Sequence, residues 1–250
     1  MTREAFDHHV GKWHRREPEM ALAEVFCPAA ERQRFRAWGA LQFELREAVF
    51  ELSDPRVTAV KTSWWAETLL ALGKGQGRHP LTEALLGVAA PWSALARSVL
   101  DTPQQPQRPG DGEAALAAMR PLAQAIAEVE AALFEAQPAA ADVVAVHLLL
   151  QRLPAGLSAE DAGRVPLHLL ARHQLRSSDL PSAGSEPLLR DWAVELKARL
   201  PARLPRACLY RRLRCAFDGA RLQRLAGGRG FAPPSALSTV WRGWRAARSR

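Results

Sequence analysis

Apolar residues recur at intervals of three and four along most of this chain, and proline or glycine interrupts them at short distances. From Trp38, the positions Leu41, Leu45, Ala48 and Leu52 fall on one helical face. Ser53-Asp54-Pro55 ends that segment and begins another, with Asp54 a candidate N-cap and Pro55 suited to the first helical position. Val57, Val60, Trp64, Thr68 and Leu72 predict the buried stripe of this second helix, which Gly73-Lys74-Gly75-Gln76-Gly77 stops. No stretch carries a convincing strand pattern, and a single Tyr with few β-branched runs argues against a sheet. The expectation is an all-α protein.

The remaining segments continue that pattern. Residues 20–52 read as one long helix or two broken near Pro28, and residues 80–100 as helical. A polar loop is predicted over 101–112, followed by helices near 113–136 and 140–153. Residues 154–187 read as loop around a short helix near Leu167–Leu170. Helices near 187–200 and 205–224 follow, then a break at Ala226–Pro234 and a basic C-terminal helix at about 235–248. Short connections between amphipathic helices imply a single bundle-like domain over residues 1–250.

Charge is uneven along the chain. Residues 1–150 hold 15 Lys/Arg against 19 Asp/Glu, whereas residues 151–250 hold 19 against 7. From Arg199 onward there are 13 basic residues and one acidic residue, Asp218. Such a tail suits an anionic partner such as a lipid headgroup, a diphosphate or nucleic acid, or else a solvated arginine-rich face. Nucleic acid is the least supported of these, since no recognition motif accompanies the charge. No apolar stretch approaches the roughly 18 residues of a membrane span. Three cysteines suit a reducing, cytoplasmic setting, and Cys208 and Cys215 lie roughly 10 Å apart along a helix, too far to bridge.

Three stretches carry a resemblance. Lys61-Thr62-Ser63-Trp64-Trp65-Ala66-Glu67 is followed by Gly77-Arg78-His79-Pro80-Leu81, Phe43-Glu44-Leu45-Arg46 lies upstream, and Gly163-Arg164-Val165-Pro166-Leu167 lies downstream. Their order and spacing resemble the squalene/phytoene synthase family. The resemblance implies a helical bundle of isoprenoid-synthase type around an apolar cavity. It also implies two Asp-x-x-x-Asp motifs that hold magnesium against isoprenoid diphosphates, and neither motif is present here. Magnesium would be the cofactor only of an active transferase, because ionising an allylic diphosphate needs oxygen-bound cations to neutralise the leaving group.

At the first motif's place stand Glu44, Glu47 and Glu51, within about 60° of one another on a helical wheel. They are candidates for a metal or diphosphate face, or for a charged strip paired with nearby basic residues. At the second motif's place the helix reads His147-Leu148-Leu149-Leu150-Gln151-Arg152, without an aspartate. Trp64 and Trp65 are candidates for a cavity wall or for buried packing, and Arg164 for a phosphate contact. His147, His168 and His173 lack the spacing of a zinc site, and His79 before Pro80 reads as a helix-start residue.

Loss of both motifs is similar to the phytoene-synthase-like assembly factors of respiratory complex I. That similarity implies a non-catalytic binding or assembly role, peripheral to a membrane, with a protein partner unspecified. The alternatives are an active prenyl transferase with unusual ligands and a basic lipid- or nucleic-acid-binding module. The C-terminal helix bears on the first and last of these, because Leu237, Val240, Trp241 and Trp244 share a face ringed by arginines.

Overall fold

A computed structural model describes residues 3–104, 107–156, 164–180, 183–231 and 234–249. Among the described residues the chain forms twelve α-helices and no strand. They are α1 (Arg3–Arg16), α2 (Pro18–Ala23), α3 (Arg32–Arg46), α4 (Pro55–Gly73), α5 (Pro80–Glu83) and α6 (Trp92–Asp101), then α7 (Gly112–Leu133), α8 (Ala141–Gly156), α9 (Leu167–Arg172), α10 (Glu186–Ala198), α11 (Leu209–Ala226) and α12 (Ala236–Arg248).

Local chemistry explains the boundaries. The Asp54 carboxylate accepts from the Arg56 amide at 2.8 Å, and Pro55 opens α4. His79 caps α5: its Nδ1 accepts from the Leu81 amide, while the Thr82 hydroxyl accepts from the His79 amide. Asp111 caps α7 through the Ala114 amide. The chain breaks between α2 and α3 around Pro28, which decides between the one-helix and two-helix readings of residues 20–52 in favour of the second.

One continuous apolar core runs from Val10 on α1 to Ala246 on α12, which makes the described chain a single domain. α4 packs on α6, α7 on α8, and α11 on both α10 and α12. Five tryptophans (Trp13, Trp38, Trp65, Trp92 and Trp192) are fully buried. Trp13 seats its ring against Gly39 of α3, where a Cβ would come within 2.3 Å of it. Glycine is therefore the residue that permits this approach of α1 to α3.

Three expectations need correction. The stripe assigned to α4 is only half right: Thr68 and Leu72 are buried, but Val57, Val60 and Trp64 are 50%, 73% and 44% exposed. Thr62, Trp65, Ala66 and Leu69 take the inner face instead. The segment 80–100 is two helices, interrupted by turns over 84–91. The third correction is to α3, which ends in a π-helical turn, Glu47–Glu51, whose wider winding a 3.6-residue wheel does not anticipate.

Candidate functional site

Glu44, Glu47 and Glu51 do come together, but against α1. His9, Lys12 and Arg16 repeat the same spacing of three and four and meet the carboxylates in the same order. His9 Nδ1 lies 3.0 Å from Glu44 Oε1, and Lys12 Nζ lies 3.4 Å from the same oxygen. Lys12 also pairs with Glu47, to which Lys61 of α4 adds a second cation at 3.5 Å. Arg16 lies 3.3 Å from Glu51. Partial burial would raise the Glu47 pKa, but the Lys12 and Lys61 ammonium groups hold it below its ordinary value. As they stand these carboxylates face protein cations, through Glu44 Oε1, Glu47 Oε2 and both Glu51 oxygens, which would compete with a magnesium ion. Among the described residues, no three or more His, Cys, Asp or Glu side chains are arranged to hold a metal ion.

The two adjacent tryptophans separate. Trp65 is buried, while Trp64 lines an open depression of about 420 Å³ with Ala59, Val60, Ser63 and Glu67. Both rings meet the His79 imidazole, at centroid distances of 5.7 and 5.0 Å, and His79 meets His9 at 4.6 Å. Burial, and then the neighbouring His9, push the His79 pKa down to about 4, with Glu44 opposing. Arg164 lies just before α9 with a left-handed φ of 46°, while the basic side chains found against Glu44, Glu47 and Glu51 are His9, Lys12, Arg16, Arg46 and Lys61. Its neighbour Gly163 lies outside the described residues, as do Glu160 and Asp161.

The space between α3 and α8, where the resemblance places diphosphate chemistry, holds a closed network of ions. Arg46 of α3 reaches Glu17 Oε1 at 2.8 Å and His147 Nε2 at 3.5 Å. The His147 Nδ1 lies 3.1 Å from Asp218 of α11. With a donor on one side and a carboxylate on the other, the imidazole is neutral, carrying its proton on Nδ1. Burial depresses its pKa further, against the pull of Asp218. Arg214 of α11 binds Glu17, reaches Glu19 at 2.8 Å and lies 3.3 Å from Asp218, and Arg221 also reaches Glu19 at 2.8 Å.

Burial would raise both Glu17 and Asp218. Arg214 and Arg46 keep Glu17 far below its ordinary value, and Arg214 holds Asp218 at about 2. A neighbouring cluster joins Arg211 to Glu130 at 2.8 Å, with Trp38 and Gln42 donating to the same carboxylate at 3.0 Å. His168 and His173 are also matched to carboxylates, His168 to Glu195 at 2.9 Å and His173 to Asp191 at 3.0 Å.

The C-terminal helix presents the other candidate surface. α12 packs inward through Thr239, Gly243 and Ala246, and a Cβ at Gly243 would lie 2.6 Å from the Phe26 ring. That contact turns the opposite face outward: Leu237, Val240, Trp241 and Trp244 are 86%, 40%, 53% and 46% exposed. Arg245 stacks on Trp241 at 4.7 Å and Arg248 on Trp244 at 4.9 Å.

Sequence reasoning named the acidic ladder but missed its partners His9, Lys12 and Arg16. Their matching spacing was the available signal.

No protein-family model matches the sequence, and no curated protein matches it.

Proposed function

We propose that this chain is a squalene/phytoene-synthase-like protein without prenyl-transfer activity, acting in a binding or assembly role at an anionic membrane surface. One observation carries the membrane reading: α12 docks by its small residues and holds a Leu/Val/Trp face in solvent beneath stacked arginines. Interfacial helices have this combination of outward apolar side chains and flanking cations. No helix among the described residues is long and apolar enough to cross a membrane, so contact through this helix would be with the surface.

The reading of lost catalysis is supported by the ion network between α3 and α8. There Arg46, Arg214 and Arg221 stand against Glu17, Glu19 and Asp218, three cations to three carboxylates, with the neutral His147 bridging Arg46 and Asp218.

Co-sedimentation with phosphatidylglycerol and phosphatidylcholine vesicles tests the membrane role. The expected result is binding to the anionic vesicles at low salt, weakening as salt screens the arginines, and loss of binding in Trp241→Ala/Trp244→Ala. Absent binding, or binding insensitive to both salt and the Trp substitutions, would overturn it.

A further inference from the structure

Behind α12 lies a cavity of about 650 Å³, bounded by the end of α10, the loop into α11, α11 itself and α12. Six cations line it: Lys197, Arg203, Arg212, Arg242, Arg245 and Arg248. None of its described lining residues is acidic. Arg212 is committed to the C-terminus of α12, donating to the Ser249 carbonyl at 2.7 Å. Lys197 reaches the neutral Gln223 side chain, Arg242 the Ser238 hydroxyl, and Arg245 and Arg248 lie on tryptophan rings. Among the described residues, Lys197, Arg203, Arg242, Arg245 and Arg248 form no ion pair with a carboxylate. This contrasts with the buried arginines of α11, each of which has one.

Apart from Gln223 and Ser249 the rest of the lining is mostly apolar and includes Leu200, Leu204, Ala216 and Ala220. Trp241 and Trp244 belong both to this cavity and to the outward face of α12. A molecule seated here would therefore meet the cations and, beside Arg245 and Arg248, indole surface that continues onto the exposed face of α12. A nucleic acid would use the cations but not the Leu237/Val240 face, and free phosphate would not use the indoles. An anionic amphiphile uses all of them.

We propose that the α10–α12 cavity binds the phosphate headgroup of one anionic phospholipid, with the acyl chains leaving along Trp241 and Trp244. The proposal rests on the membrane reading of α12 but adds a saturable, headgroup-specific site to general adsorption. The volume falls within the range of small-molecule sites, and arginine and lysine clusters are suited to phosphate oxygens.

The test uses the full chain and dihexanoyl phosphatidylglycerol below its micelle concentration, titrated calorimetrically. Dihexanoyl phosphatidylcholine, inorganic diphosphate and a single-stranded oligonucleotide are run alongside. Lys197→Gln/Arg203→Gln alters the wall away from α12. Arg78→Gln/Arg97→Gln removes the same charge from exposed positions elsewhere. The expected result is saturable phosphatidylglycerol binding, about tenfold weaker in the cavity variant and unchanged in the control.

Equal affinity for the two lipids, equal loss in both variants, or diphosphate or oligonucleotide binding as tightly as phosphatidylglycerol would overturn the proposal. Vesicle binding without binding of the monomeric lipid would remove the headgroup site and leave the adsorption reading intact. Monomer binding without vesicle binding would do the reverse.

Discussion

Arg214 and Lys12 both sit among carboxylates, yet they differ in what their removal should do. Arg214 is fully buried and touches Glu17, Glu19 and Asp218, so Arg214→Met would leave three carboxylates in the interior with reduced compensation. The expected cost is about 3–5 kcal/mol, read as a shift in urea midpoint. Lys12 is partly exposed, and Lys12→Met should cost below about 1 kcal/mol by the same measurement.

The histidines set the acid response. His79 and His147 have pKa values lowered in the fold, so the unfolded chain binds more protons below the ordinary 6.5. Stability should therefore fall as pH drops from 6.5 toward the His79 value of about 4. A second decline should follow below 3.8 as Asp218 titrates toward about 2, because a depressed carboxylate stabilises only while it is ionised. His79→Asn retains a helix-capping side chain and should flatten part of the first limb in melting temperatures measured against pH. An unchanged first limb would assign that limb to His147 or other groups.

At the scale of elements, the contact of α1 with α3 depends on Gly39. Gly39→Ala would press a methyl group into the Trp13 ring, which is fully buried and bonded through Nε1 to Glu17 at 3.0 Å. A loss of about 1–3 kcal/mol in denaturant unfolding is expected, larger than for an exposed Gly→Ala change.

Helix positions were readable because proline, glycine and capping residues punctuate an otherwise regular apolar period; Asp54-Pro55 and His79-Pro80 mark starts found in the structure. The facing of α4 was not. Its sequence carries apolar residues on two sides, Val57/Val60/Trp64 and Trp65/Leu69/Leu72, and packing on α6 decides between them. The glutamate face was legible as a cluster, but not its orientation. A local pattern cannot say whether a carboxylate strip will meet a cavity or a basic strip 35 residues earlier. The cavity behind α12 joins residues from Lys197 to Ser249 across three helices and had no local signature.

For the molecule as a whole, the basic excess after residue 199 is partly internal. Arg199, Arg211, Arg214 and Arg221 pair with Glu113, Glu130, Glu17 and Glu19 of the acidic first half. Of the others, Arg203, Arg212, Arg242, Arg245 and Arg248 line the cavity beside α12. With Arg46 and His147 bridging α3 and α8 inside the ion network, purified protein given magnesium and farnesyl diphosphate should yield no condensation product above a heat-killed control. Product formation abolished by Glu47→Ala/Glu51→Ala would replace the non-catalytic reading with a transferase.

The same ion network has a consequence for how the protein is made. Glu17 and Glu19 find Arg214 and Arg221 across separations of 195 to 202 residues. Arg46 reaches Glu17 from only 29 residues on, but a ribosome adding about 5–20 residues per second takes roughly 10–40 s to reach Arg214 and Arg221. During that interval the first helices can form, but Glu19 has neither of its arginines and Glu17 has only Arg46. Full burial of the N-terminal carboxylates thus waits for α11, made well after the helices that carry them, to supply Arg214 and Arg221.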